Sequence, residues 1–197
     1  MGFISRVLRP AVVMLLAITV ITGVAYPAVV TAAAQLVFPS QANGSMIVVN
    51  GQTVGSSLIG QCFNEPQYFW GRPSAAGVTD SNPCGYDADN SAGSNLGPTS
   101  QALIDRITAS VDQLRQSNGD GPVPVDLVTT SASGFDPDIS PAAAEYQVNR
   151  VAAARNMTPD AVRAIVARYT EQPLLGFLGE PRVHVLLLNL ALDGDVS

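Results

Sequence analysis

Lysine is missing from this chain of 197 residues, and its ten basic residues are all arginines. Sixteen acidic residues bring the net charge to −6, so the chain lacks the basic surface that a phosphate backbone requires, and nucleic acid is excluded as a partner. The phosphate-binding loop of nucleotide hydrolases is excluded as well, because its motif needs a lysine. Charged residues make up only 13% of the chain against 47% hydrophobic residues, which excludes a disordered tail.

Histidine occurs once, at position 184, which excludes a metal site built on two histidines. Any Ser-His-Asp triad would have to use His184, yet no serine lies in a Gly-x-Ser-x-Gly motif. The apolar run around His184 is typical of a satisfied imidazole in the core rather than of a general base. We therefore expect no catalytic residue and no cofactor of the chain's own.

Two acidic clusters, at residues 87–91 and 136–140, begin like calcium-binding loops. Each lacks the glycine that such a loop requires at its sixth position and the glutamate that it requires at its twelfth. Turn formation and a negative charge near a helix N-terminus are the better interpretation of both clusters. The sequence therefore predicts no metal site.

Charge is absent between Arg9 and Glu65, and residues 10–31 are apolar except for three threonines and a tyrosine. As a helix, this stretch would reach about 33 Å, enough to cross the hydrocarbon core of a bilayer. A secretory signal peptide cleaved after Ala34 is the alternative. The apolar stretch exceeds the usual length of a signal peptide's hydrophobic region, about 7–15 residues, which favours an uncleaved transmembrane helix.

The basic residues near this helix are unevenly placed, since Arg6 and Arg9 precede it and the next one is Arg72. This bias predicts a cytoplasmic N-terminus at residues 1–9 and an extracytoplasmic remainder. The two cysteines, Cys62 and Cys84, then lie in an oxidising compartment that permits a disulfide, although two unpaired cysteines remain the alternative.

After an uncharged neck at 32–45, residues 46–197 are expected to form one small mixed domain, of α+β or α/β class. Asn50-Gly51 between β-forming residues predicts a hairpin, and the Gly- and Ser-rich stretch 71–98 predicts a long loop. Three helices are predicted at 100–118, 141–155 and 159–169, with Leu103, Ile104, Ile107, Val111 and Leu114 as the buried stripe of the first. An edge strand is predicted at 123–129 and a central strand at 183–190.

The aromatic run Tyr68, Phe69 and Trp70 is followed closely by Arg72. A buried corner of the core is the default interpretation. A partner-facing anchor is the alternative, because tryptophan, tyrosine and arginine dominate the energetic centres of protein interfaces.

Several long motifs run through the chain: QANGS at 41–45, GSSLIGQ at 55–61, YFWGRPSA at 68–75, SNLGPTS at 94–100, VPVDLVTTSASGFDPDISPAAAEYQVNRVAAARN at 123–156 and LNLALD at 188–193. With the N-terminal apolar span, they resemble the C subunit of the Kdp-type potassium-transporting ATPase over nearly the whole length. The resemblance implies a single-pass, non-catalytic subunit in the bacterial cell membrane. Its implied partners are the lipid bilayer, a channel-like subunit that translocates potassium and a P-type subunit that hydrolyses ATP.

The resemblance also implies a chaperone-like role, in which the subunit assists assembly and raises the nucleotide affinity of the hydrolysing subunit. A glutamine proposed to contact ATP corresponds to Gln147. Because the charge bias places Gln147 outside the cytoplasm, where ATP is scarce, we instead expect a helix-surface amide that pairs with a partner or with its own fold. An extracytoplasmic binding domain unrelated to transport, secreted or membrane-anchored, and a secreted hydrolase are the alternatives to the accessory subunit.

Overall fold

The structure, a computed structural model, describes residues 2–79 and 82–195. Met1, residues 80–81 of the predicted long loop and residues 196–197 of the predicted domain lie outside the described residues. The chain forms two units, Met1–Met46 and Ile47–Ser197.

The first unit is helical: α1 (Gly2–Val20), a wider π-helical turn (Ile21–Ala25), α2 (Tyr26–Val37) and the short α3 (Pro39–Ala42). Pro27 explains the wide turn, since proline has no backbone N–H and its ring would clash with a normal preceding turn. The N–H of Tyr26 accordingly donates to the carbonyl of Ile21, five residues earlier. The helix therefore passes Pro27 without a break.

The apolar helix is longer than the predicted span. Residues Arg6–Val37, 32 in all, have a mean hydropathy of 2.2 in their most apolar stretch, and none of that stretch is buried. The first six residues of the predicted neck, 32–37, are thus helical as well. By length and composition, this helix could cross a membrane.

The second unit opens with the predicted hairpin, formed by β1 (Met46–Val49) and β2 (Gln52–Ser56). The turn residues Asn50 and Gly51 have φ values of +51° and +79°. Positive φ at both positions is the geometry of the tight hairpin turn for which Asn-Gly is favoured.

Four further helices build the domain: α4 (Gln101–Asn118), α5 (Pro141–Arg155), α6 (Pro159–Arg168) and α7 (Val185–Asp193). The predictions for the first three are confirmed to within a residue. Ser140 and Thr158 cap α5 and α6 by accepting hydrogen bonds from the N–H groups of Ala143 and Ala161. A proline follows each cap, where a missing N–H costs nothing.

A small antiparallel sheet has the strand order β3 (Asp138–Ile139), β5 (Arg182–His184) and β4 (Thr170–Glu171). Val183 faces Ile139 on one side and Thr170 on the other. The core beside this sheet is formed by Phe69, Leu114, Leu127, Val128, Ile139, Ala143, Ala144, Val148, Val151, Ala152, Val162, Val166, Val183, Val185 and Leu188. The predicted class, one apolar N-terminal helix followed by a small mixed domain, is confirmed.

The central strand predicted at 183–190 is wrong beyond its first two residues. The chain leaves β5 at His184, whose Nδ1 accepts the N–H of Leu187 and so caps helix α7. Four residues of α7 are buried, namely Val185, Leu186, Leu188 and Asn189. A helix buried on several sides shows no 3.6-residue pattern, so its sequence matches a buried strand equally well.

The edge strand predicted at 123–129 is also wrong, because a single 3-10 turn (Val125–Leu127) forms there instead. The N–H of Leu127 donates to the carbonyl of Pro124, and the Asp126 carboxylate accepts the N–H of Ser140. The described sheet consists of β3, β5 and β4, and this segment pairs with none of them.

The predicted apolar stripe of α4 is only partly correct. Leu114 is buried, and Ile107 and Val111 are half-buried against the core. Ile104 is 47% exposed, because the first half of α4 is less deeply packed than its second half.

Substitution of Ser140 by alanine tests the cap. We expect it to lower the free energy of unfolding by about 1 kcal/mol, since the N–H of Ala143 loses its acceptor. Chemical denaturation of the detergent-solubilised chain measures this. Ser100 occupies the same position before α4 without a side-chain cap bond, so Ser100→Ala is the matched control, and equal losses in both variants would contradict the assignment.

Candidate functional site

The segment 65–72, which contains the aromatic run, runs over the helices without joining a sheet. Two side-chain amides bind its backbone instead. Asn189 of α7 accepts the N–H of Phe69 (2.8 Å) and donates to its carbonyl (3.0 Å). Gln147 of α5 accepts the N–H of Trp70 (2.8 Å) and donates to its carbonyl (3.1 Å). Each amide thus satisfies both backbone groups of one residue, as a neighbouring strand would.

Gln147 uses its full hydrogen-bonding capacity in this arrangement. Besides Trp70, its Oε1 accepts from Arg150 (2.6 Å) and its Nε2 donates to the carbonyl of Ala143 (3.2 Å). Its side chain is 0% exposed. The expected helix-surface location is therefore wrong, and the amide pairs with its own fold. A direct contact with ATP would require Trp70 or Arg150 to leave Gln147.

Two arginines of α5 hold the rest of the segment. Arg150 donates to the carbonyls of Pro66 (2.6 Å) and Tyr68 (2.9 Å), and its guanidinium lies 4.0 Å from the ring centroid of Trp70. Burial lowers the pKa of Arg150 to about 10, so the group stays cationic at neutral pH. A cation over an indole ring is stabilised by the ring's negative face.

Arg155 provides a parallel set of contacts one turn further along α5. It donates to the carbonyl of Gln67 (2.7 Å) and to the carboxylate of Asp193 (2.7 Å). The same carboxylate accepts the hydroxyl of Tyr68 (3.0 Å), and this hydrogen bond raises the pKa of the phenol. Helix α5, helix α7 and the aromatic segment are thereby tied together.

The four interface candidates are all engaged within the chain. Phe69 is fully buried, while Tyr68, Trp70 and Arg72 are half-buried. Trp70 donates its indole N–H to the carbonyl of Glu65 (3.0 Å), and Arg72 forms an ion pair with Asp136 (2.7 Å). The geometry matches a buried corner of the core, and a partner contact through their exposed edges stays a prediction.

His184 is likewise engaged at both ring nitrogens. Its Nε2 lies 2.9 Å from the carbonyl of Ser57, and its Nδ1 accepts the N–H of Leu187 (3.2 Å). A neutral imidazole with its proton on Nε2 satisfies both contacts at once. The side chain therefore connects the segment after β2 to the start of α7.

Cys62 and Cys84 form a disulfide in this structure, with 5.3 Å between their Cα atoms. Within residues 2–79 and 82–195, no group of three or more His, Cys, Asp or Glu residues could hold a metal ion. The acidic clusters instead shape turns: Asp136 accepts the N–H of Asp138, and the carbonyl of Asp87 accepts the N–H of Asn90.

Sequence reasoning missed an exposed apolar loop between β4 and β5. Its four large side chains are 51–76% exposed: Leu174, Leu175, Phe177 and Leu178. The backbone is nevertheless ordered, because Leu174 and Leu178 exchange two hydrogen bonds of 3.0 Å. The signal was the apolar run LLGFL between Pro173 and Gly179. Apolar side chains presented together on a fixed loop are typical of an interaction site.

Comparison with known proteins gives a single family. Residues 8–194 match the family model described as KdpC, K+-transporting ATPase, c chain. Three relatives are each described as a potassium-transporting ATPase KdpC subunit. They come from Rhodopseudomonas palustris (56% identical, covering 94% of this chain and 96% of the relative), Bradyrhizobium diazoefficiens (57%, 95% and 96%) and Sorangium cellulosum (58%, 95% and 97%).

Replacement of Gln147 by leucine tests the amide contacts. We expect the free energy of unfolding to fall by about 2–4 kcal/mol, because the backbone groups of Trp70 and one donor of Arg150 become unpaired. Gln147→Glu should cost less, since its carboxylate still accepts from Trp70 and Arg150. Denaturant unfolding followed by the emission of Trp70, the single tryptophan, measures both.

The control for this series is Gln101→Leu, at an exposed amide that donates to Asp105 on the next turn of α4. A loss in Gln147→Leu no larger than in this control would contradict the assigned role.

Proposed function

The chain belongs to the KdpC family of K+-transporting ATPase c chains, and from that premise we propose that it is a non-catalytic accessory subunit of an ATP-driven potassium uptake complex. The observation that carries the proposal is the apolar helix Arg6–Val37, whose most apolar stretch is unburied and which is followed by a folded domain. Such a chain is built to be held in a membrane beside other subunits.

The proposed orientation places residues 1–9 in the cytoplasm and the domain outside it, in the plasma membrane of a bacterium. Arg6 and Arg9 lie before the helix, and no basic residue follows until Arg72. The disulfide between Cys62 and Cys84 supports this side of the membrane, because disulfides persist in oxidising compartments.

We propose two points of attachment to the partner subunits, the channel-like subunit that translocates potassium and the P-type subunit that hydrolyses ATP. The first is the helix, where small residues allow a partner helix to approach closely: Ala11, Ala17, Gly23, Ala25 and Ala28. The second is the apolar loop 174–178. Because the helix tethers the domain, the loop acts at a high effective concentration and can bind weakly on its own.

These two contacts would assist assembly of the complex. An effect on the affinity of the hydrolysing subunit for ATP needs a different explanation. The amide of Gln147 is enclosed by Trp70, Arg150 and Ala143. We therefore propose that this subunit alters nucleotide affinity of the hydrolysing subunit through the assembled complex, not through its own contact with ATP. Potassium is handled by the partner, and the chain needs no cofactor of its own.

A labelling experiment tests the orientation. Ala109, exposed on α4, is replaced by cysteine, and Val7→Cys is the matched probe before the span. An impermeant maleimide applied to intact spheroplasts should label Cys at position 109 and should label Cys at position 7 only after lysis. The intact mass of the purified chain should include residues 10–31. The reverse labelling pattern would contradict the orientation, and a mass lacking the span would favour a secreted domain.

A second experiment tests the apolar loop. The double variant Leu175→Ser, Phe177→Ser should reduce co-purification with the potassium-translocating and ATP-hydrolysing subunits in mild detergent by at least about tenfold, since two buried apolar contacts are lost. Val125 is equally exposed, at 70%, on the 3-10 turn elsewhere in the domain, so Val125→Ser is the control. Wild-type recovery of the double variant would remove the loop from the interface.

A further inference from the structure

A cavity of about 360 Å³ lies in the domain between α4 and the segment that follows the aromatic run. Its apolar wall includes Phe63, Trp70, Leu114 and Leu127, and its polar wall includes Ser110 and Thr130. Its volume falls within the range of small-molecule sites, about 300–1,000 Å³. Neither the membrane anchor nor the apolar loop contributes to it.

Two arginines, Arg72 and Arg106, are the charged residues among the described residues that line this cavity. Their neighbour Tyr86 is neutral, because burial raises its pKa to about 12. A cavity whose described lining carries positive charge and no carboxylate is unexpected in this domain. Eight of the ten arginines and all sixteen acidic residues follow the apolar span, which gives this part of the chain a net charge of −8.

In each arginine the Nε–H group is buried and has no hydrogen-bond partner among the residues that the structure describes. Arg72 has its Nη1 on Asp136, so its charge is balanced. Arg106 makes one long contact, 3.5 Å from Nη1 to the hydroxyl of Thr130, and it forms no ion pair with the described residues. A guanidinium group that has no carboxylate beside it is matched best by an anionic acceptor.

We propose that this cavity binds a small oxyanion, a carboxylate or a phosphate, that carries an apolar group. The anion lies against the guanidinium groups of Arg72 and Arg106, which line the cavity, and neutralises the charge of Arg106. The apolar group lies against Trp70 and Leu114. A cation would be repelled by both guanidinium groups, and a neutral apolar molecule would leave the charge of Arg106 without a counter-ion.

Trp70 provides the measurement, since it lines the cavity and is the single tryptophan of the chain. The full-length chain in neutral detergent is titrated with benzoate and with phenyl phosphate, at constant ionic strength, while the emission of Trp70 is recorded. Benzamide is the neutral analogue of benzoate, and inorganic phosphate lacks the apolar group. We expect a saturable change with benzoate or phenyl phosphate, and the stronger of the two identifies the anion. We expect little change with benzamide, and weaker binding of inorganic phosphate.

The variant Arg106→Gln should weaken binding by at least about tenfold, because a charge-assisted hydrogen bond is lost. Arg115→Gln is the matched control on the same helix, since Arg115 is exposed and lies outside the cavity lining. An unchanged affinity in a folded Arg106→Gln chain would overturn the proposal, and so would an equal response to benzamide. Inorganic phosphate binding as tightly as phenyl phosphate would overturn the apolar contact.

A measurement on the unmodified chain keeps the test valid if Arg106→Gln does not fold. In nitrogen-15 spectra of the arginine Nε–H groups, benzoate or phenyl phosphate should shift two resonances, those of Arg72 and Arg106. The Arg115 resonance should not move. A change in Trp70 emission without any shift in the Arg72 and Arg106 signals would place binding elsewhere and would contradict the proposal.

Discussion

An extended segment buried on helices has backbone N–H and C=O groups that no strand satisfies, and this domain depends on how that requirement is met. For residues 69 and 70 the partners are side-chain amides, from Asn189 on α7 and Gln147 on α5. Burial of Phe69 in the core is possible only because these amides replace the missing strand. The spacing between α5 and α7 is then fixed by side chains that touch the same segment, which couples the middle of the chain to its end.

Local signals explain what the sequence predicts well. Ser140-Pro141 and Thr158-Pro159 combine a cap with a proline, and Asn50-Gly51 demands one kind of turn, so these boundaries depend on neighbouring residues alone. The candidate site is different. Gln147 meets a residue 77 positions away and Asn189 one 120 positions away, and no local pattern distinguishes a clamping amide from a solvated one. The sequence of helix α7 predicts a strand because burial on several sides of the helix removes the 3.6-residue pattern of apolar and polar residues.

Each of the two units carries one feature that the sequence did not predict. In the N-terminal helix it is the wide turn at Ile21–Ala25, which keeps the helix continuous past Pro27. In the proposed membrane location this continuity matters, because lipid offers no partner for free backbone groups. In the domain it is the apolar loop 174–178, in which Leu174 and Leu178 exchange two backbone hydrogen bonds while the apolar side chains are exposed.

The contacts that the cations of this domain make are typical of arginine, which fits the absence of lysine from the chain. Arg150 and Arg155 each reach several acceptors across the aromatic segment, and Arg163 bridges Glu145 of α5 to Asp160 of α6. Such fixed, multiple contacts suit the planar fork of arginine and not the single ammonium of lysine. Because these arginines form their contacts within the fold, the domain keeps an excess of carboxylates. The proposed docking through the apolar loop 174–178 has the advantage that it needs no positive surface. Arg106 departs from this rule, since it forms no ion pair with the described residues and lines a cavity whose described lining has no carboxylate.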